Sequence, residues 1–71
     1  MIRILLADQL FAKRWSQADL SRKTGIRAAT INDLYHEMAL RISFEHLDLI
    51  CDALDCDVTD IIKRERRIES K

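Results

Sequence analysis

One glycine, Gly25, and no proline in 71 residues constrain this chain more than any other feature. Sandwiches and barrels need many tight turns, and tight turns are built largely from glycine and proline. A chain with a single glycine must reverse direction mostly through helix ends. Apolar residues make up 48% and charged residues 34%. That mixture suits a compact helical unit and is too apolar for a disordered tail. A chain of this length makes one domain and buries about 60% of its unfolded surface, so its stability margin is thin. No stretch reaches the 18 or so apolar residues that a membrane helix needs. The apolar start, Met1 to Leu6, meets Asp8 at once and is too short for a signal peptide. The expected location is the cytoplasm, where Cys51 and Cys56 read as reduced packing residues rather than a disulfide.

Five short helices follow from caps and periodicity. The first spans about Leu5 to Arg14, with Leu6 and Leu10 four apart and Ala7 and Phe11 beside them. The alternating Ile2 and Ile4 before it suggest a short extended arm. The second begins after Ser16, a capping residue answered by Asp19 three positions on, and ends at Gly25, which takes the left-handed conformation at least cost. The third covers about Ala28 to His36, with Ile31, Leu34 and Tyr35 on one side and Thr30 and Asn32 away from them. The fourth starts at the cap Ser43 and carries the clearest stripe: Phe44, Leu47, Cys51 and Leu54, with Ile50 beside it. The fifth is expected from Asp57, with Asp60 answering it and Val58, Ile61 and Ile62 facing inward. The domain is expected to occupy residues 1–66, with 67–71 as a frayed charged tail. Leu5 and Leu49 fall off their helices' apolar faces and are expected to be exposed strays or part of a dimer surface.

The most informative segment is Ser16 to Tyr35: cap, short helix, glycine-centred turn, second short helix. Ala18, Leu20, Ile26, Ile31 and Leu34 are small or apolar where two crossing helices would touch. The outer face of the second helix is then free to enter a major groove. A plain helical hairpin within a bundle satisfies the same spacing. The run Ser16-Gln17-Ala18-Asp19-Leu20-Ser21, then Lys23-Thr24-Gly25-Ile26, then Ala29-Thr30-Ile31 with Leu34-Tyr35, resembles the Cro/C1-type (Xre-type) helix-turn-helix family. The later Leu47 to Leu54 and Cys56 to Ile62 are similar to small prophage-type members. The resemblance covers residues 5–62. It implies an all-α, compact five-helix bundle of the lambda-repressor-like DNA-binding type. It also implies double-stranded operator DNA as partner, a role as transcriptional regulator, most simply a repressor, and usually a homodimer.

Two positions depart from the family pattern. Arg27 stands where a capping serine or threonine is usual, and His36-Glu37-Met38 replaces a glycine- or asparagine-bearing loop. The second change adds a negative charge near the presumed DNA face. Expected base contacts are Arg27, Ala28, Ala29, Thr30, Asn32 and Asp33. Arginine can bond guanine, methyl groups can touch thymine, and a carboxylate can accept from cytosine. Expected phosphate contacts are Gln17, by its place at a helix start, with Arg14, Lys23 and Arg41. The chain's net charge is zero, but residues 13–41 carry six basic side chains against three acidic ones. Residues 42–60 carry six acidic and no basic ones. This segregation can give one basic and one acidic face. Trp15 is expected to hold the first helix against the second.

An enzyme is not expected. His36, His46, Cys51 and Cys56 lack the CxxC or HxxxH spacing of a zinc site, so no metal or other cofactor is predicted. The stronger rival is a protein-interaction module, such as an antitoxin built on the same bundle, whose acidic 42–60 surface engages a protein partner.

Overall fold

The computed structural model describes residues 1–66. A strand β1 (Ile2–Ile4) leads into four helices, α1 (Leu6–Lys13), α2 (Gln17–Thr24), α3 (Ala28–Tyr35) and α4 (Phe44–Leu54). A 3₁₀ turn at Val58–Asp60 and a strand β2 (Ile62–Arg64) follow. Nine apolar side chains form the core: Leu6 and Leu10 of α1, Leu20, Ile26, Ile31 and Leu34 of the α2–α3 unit, Ile50 and Leu54 of α4, and Ile61.

Three helix ends, at Ser16, Gly25 and Ser43, follow their sequence signals. Asp19 N–H donates to Ser16 Oγ at 3.1 Å and Ser16 N–H donates to Asp19 Oδ2 at 2.8 Å, a complete capping box. These bonds from Ser16 hold the Asp19 carboxyl below its ordinary range. Ser43 Oγ accepts from His46 N–H at 3.0 Å to start α4. Gly25 ends α2 at φ 77°. A Cβ there would meet nothing within 4 Å, so the only obstacle to a larger residue is backbone conformation. Gly25→Ala should therefore cost about 1–2 kcal/mol, the left-handed penalty of an L-residue, read as a lower urea midpoint at unchanged m-value.

The expected fifth helix is corrected. Asp57 N–H does donate to Asp60 Oδ2 at 3.0 Å, but the helix stops after one 3₁₀ turn and the chain enters β2, which pairs antiparallel with β1 in the register Ile4↔Ile62, Arg3↔Lys63, Ile2↔Arg64. The described residues thus hold four α-helices and a two-stranded sheet, so the fold is mostly helical rather than all-α. The extended arm at the amino terminus is β1. Pairing satisfies backbone groups of both chain ends at once. Leu5 N–H donates to the Ile61 carbonyl at 2.6 Å and Glu65 N–H to the Met1 carbonyl at 2.8 Å. A second helical turn from Asp60 would have satisfied only its own.

Other inward expectations shift as well. Phe44 is 90% exposed and Val58 44% exposed. The buried arc of α4 centres on Ile50 and Leu54, with Leu47, Leu49, Cys51 and Ala53 packed around them. Leu49 is therefore partly buried rather than a stray, and Phe44, in the first turn, overhangs the edge of the arc. Leu5 is likewise half-buried, as the residue that caps α1. Ala18 is exposed, not at the α2–α3 contact. The expected tail 67–71 lies outside the described residues.

Arg3 faces Lys63 across the strands, an unfavourable pair of like charges, and two carboxylates offset it. Glu65 reaches Arg3 Nη1 at 3.6 Å and Lys63 Nζ at 3.9 Å. Glu37, from the loop after α3, takes both Arg3 Nε and Nη2 at 2.8 Å and the Ile4 backbone N–H at 3.1 Å. That contact occupies the outer edge of β1, which would otherwise present a free N–H. The Arg3 guanidinium and the Ile4 N–H hold the Glu37 carboxyl down to about 2. A depressed folded-state value contributes stability above the ordinary carboxylate range, lost as pH falls toward that depressed value. Thermal midpoints of the wild type should therefore drop between pH of about 4.5 and about 2. The Glu37→Gln variant should start lower at neutral pH and fall less steeply through that window.

Candidate nucleic-acid interface

The α2–α3 unit is stitched at its turn by three hydroxyl contacts. Thr24 Oγ1 donates to the Leu20 carbonyl at 2.8 Å and accepts from Ile26 N–H at 3.1 Å, and Ser21 Oγ donates to the Ile26 carbonyl at 2.6 Å. Ile26 is thereby pinned into the core beside Leu20 and Ile31. With the turn fixed, the start of α3 is aimed rather than left to swing. Arg27 occupies the capping position in extended conformation, φ −60° and ψ 142°, and makes no side-chain cap. The first turn of α3 therefore keeps backbone N–H donors without a side-chain partner, the feature that favours an anion at a helix start.

Ile31 and Leu34 are buried, so helical geometry turns Ala29 and Asp33 outward. Arg27, Ala28, Ala29 and Asp33 are exposed, whereas Thr30 and Asn32 flank them half-buried. The outer face of α3 thus presents Ala29 and Asp33, with Ala28, Thr30 and Asn32 to its sides and Arg27 at the cap before it. Among the expected phosphate contacts, Arg41 is brought to this face. It lines a shallow depression with Thr30 and Asp33. Gln17 is the first residue of α2 and half-buried. Arg14 and Lys23 gather elsewhere, around Trp15. The Lys23 ammonium lies 5.4 Å from the indole centroid, a cation–π contact, and Arg14 shares a depression with Phe11, Trp15 and Tyr35. Trp15 packs partly buried against the core.

Two features were not read from sequence. A second depression runs from Thr30 and Leu34 past Arg41 to Ser43 and His46, placing the capped start of α4 beside the middle of α3. Ser43 was legible as a cap, but nothing local signals that its helix start adjoins α3. The second is the fate of Glu37. Its charge does not stand free beside the outer face of α3, because Arg3 and Ile4 engage it.

Compared with family models, residues 2–66 match the Cro/C1-type HTH DNA-binding domain. The chain belongs to the Cro/C1-type helix-turn-helix family. No curated protein and no solved structure matches it. As a Cro/C1-type domain it is a DNA-binding module of the kind used in transcription regulation. No helix of the described residues is long and apolar enough to cross a membrane.

Proposed function

We propose that this Cro/C1-type domain binds double-stranded DNA sequence-specifically, with α3 as the recognition helix in the major groove, and acts as a repressor. The observation that carries the reading is the exposed, uncapped first turn of α3, held at a fixed angle by the Ser21 and Thr24 hydroxyls. Arg27 bonds a guanine edge or the phosphate beside it. Ala28 and Ala29 let the helix approach closely and touch thymine methyls, while Thr30, Asn32 and Asp33 complete the base-reading set. Gln17, Arg41 and the Ser43 end of α4 hold phosphates and set the register. Arg14 and Lys23 act as outlying phosphate contacts. A single domain with so few phosphate contacts binds non-specifically with Kd of about 10⁻⁴ to 10⁻⁶ M. Specific binding is therefore assigned to a homodimer on half-sites roughly 34 Å apart. Occupying a promoter in this way excludes other proteins from it, which is repression. The proposed location is the cytoplasm.

A second reading, a protein-interaction module such as an antitoxin, is favoured by Leu40, 94% exposed, and Phe44, 90% exposed. Leu40 precedes Arg41 in the loop, and Phe44 follows that loop at the start of α4. Arg27→Ala separates the two. As a DNA reader it should lose about 1–3 kcal/mol on its own operator and much less on random duplex, measured by fluorescence anisotropy. Poor and equal binding of both duplexes by the unsubstituted protein would instead favour the protein-interaction reading.

A further inference from the structure

We infer that Cys51 and Cys56 form a pre-organised dithiol that closes to an intramolecular disulfide by exchange with a low-molecular-weight disulfide. This locks the carboxyl end of α4. The two residues are the ends of a closed helix cap. Asp55 adopts the left-handed conformation, φ 53° and ψ 52°, and Cys56 N–H donates to the Cys51 carbonyl at 3.0 Å. This is the six-to-one closure of a Schellman motif, whose outer residue normally rests an apolar side chain on the residue at the inner end. Here both side chains are thiols. A disulfide needs its Cα atoms about 4.4–6.8 Å apart, and a closed cap is a local device that brings the ends of six residues together. Both thiols are partly buried against the core, and neither is in a disulfide.

Their surroundings set how readily the two thiols ionise. Burial raises both thiols, Cys56 to about 11. Asp48 of α4 and Asp57 and Asp60 of the following turn oppose ionisation, while Lys13 of α1 assists it. Either sulfur can attack first; when Cys51 attacks, Cys56 resolves. The Cys51 thiolate attacks one sulfur of the small disulfide and expels a thiolate, leaving a mixed disulfide. Cys56 gives up its proton, attacks the Cys51 sulfur and expels the second small thiolate. Two cysteine thiols are oxidised, one small disulfide is reduced to two thiols, and the two protons end on those thiols. Because both cysteines are held above their ordinary range, exchange is slow at neutral pH and accelerates in alkali. The resulting bond ties α4 to the segment leading through Ile61 into β2.

The test equilibrates the full chain with oxidised and reduced glutathione at graded ratios, in native buffer and in urea. Peptide mapping by mass spectrometry then scores the bridge and any glutathione adducts. The proposal expects the wild type to lose both thiols together, with the equilibrium at least about tenfold more favourable in the native state than in urea. The bridged protein should also melt at a higher temperature than the reduced one. Cys51→Ser and Cys56→Ser should each stop at a single glutathione adduct. Equal equilibria in native buffer and urea, native accumulation of mixed disulfides or inter-chain dimers, or a lower melting temperature of the bridged form would each overturn it. The cysteines would then be only the apolar contact of the cap.

Discussion

Ile31→Ala should lower the stability of the domain by about 2–5 kcal/mol, the range for removing a buried branched side chain and leaving a cavity. Ile31 is fully buried at the centre of the α2–α3 contact, with Leu20, Ile26 and Leu34 in the same core cluster. A chain of this size has a total stability of roughly 0.05–0.15 kcal/mol per residue, so the loss is a large fraction of the whole. Urea denaturation should show a much lower midpoint or no native baseline. Ile31→Val keeps most of the volume and should cost only about 0.5–1.5 kcal/mol. DNA binding should fall with the folded fraction in both variants and recover where the fold recovers. A mild effect of Ile31→Ala would mean that the contact aiming α3 is looser than the burial indicates.

Ala29→Glu should separate folding from binding in the opposite sense. Ala29 is exposed, in the first turn of α3 and on its outward face. Glutamate is a good helix former, and its charge is favourable near a helix start. The thermal midpoint should therefore hold or rise slightly. On DNA, the same carboxylate meets phosphates and acceptor-rich base edges at closest approach. Like-charge juxtaposition at an interface costs several kcal/mol, so affinity for any duplex should drop at least about a hundredfold in anisotropy titrations. A well-folded Ala29→Glu protein that still binds DNA would remove α3 from the interface.

Much of this was legible because local chemistry decides it. Ser16 with Asp19, Ser43 and Asp57 with Asp60 each satisfy backbone groups within a few residues, and Gly25 sits at the one cap built on glycine. The left-handed ends at Arg14 and Asp55 carry no glycine to signal them. The sheet was misread for a different reason. Ile61 and Ile62 suit a helix as well as a strand, and the choice is made by Met1–Ile4, some sixty positions earlier in the chain. The same holds at the interface. The outward face of α3 follows from the spacing of Ile31 and Leu34. Where Lys23, Arg41 and Glu37 go depends on Trp15, on the loop and on Arg3, partners that no short motif names.

The most direct check on DNA reading by α3 is a salt series. The unsubstituted protein is titrated onto the duplex upstream of its own gene and onto random duplex, between about 50 and 200 mM salt. Both affinities should fall linearly on a log–log plot as phosphate contacts release counterions. The upstream duplex should stay bound at salt where the random one has let go. Failure to bind either duplex at low salt would contradict the account.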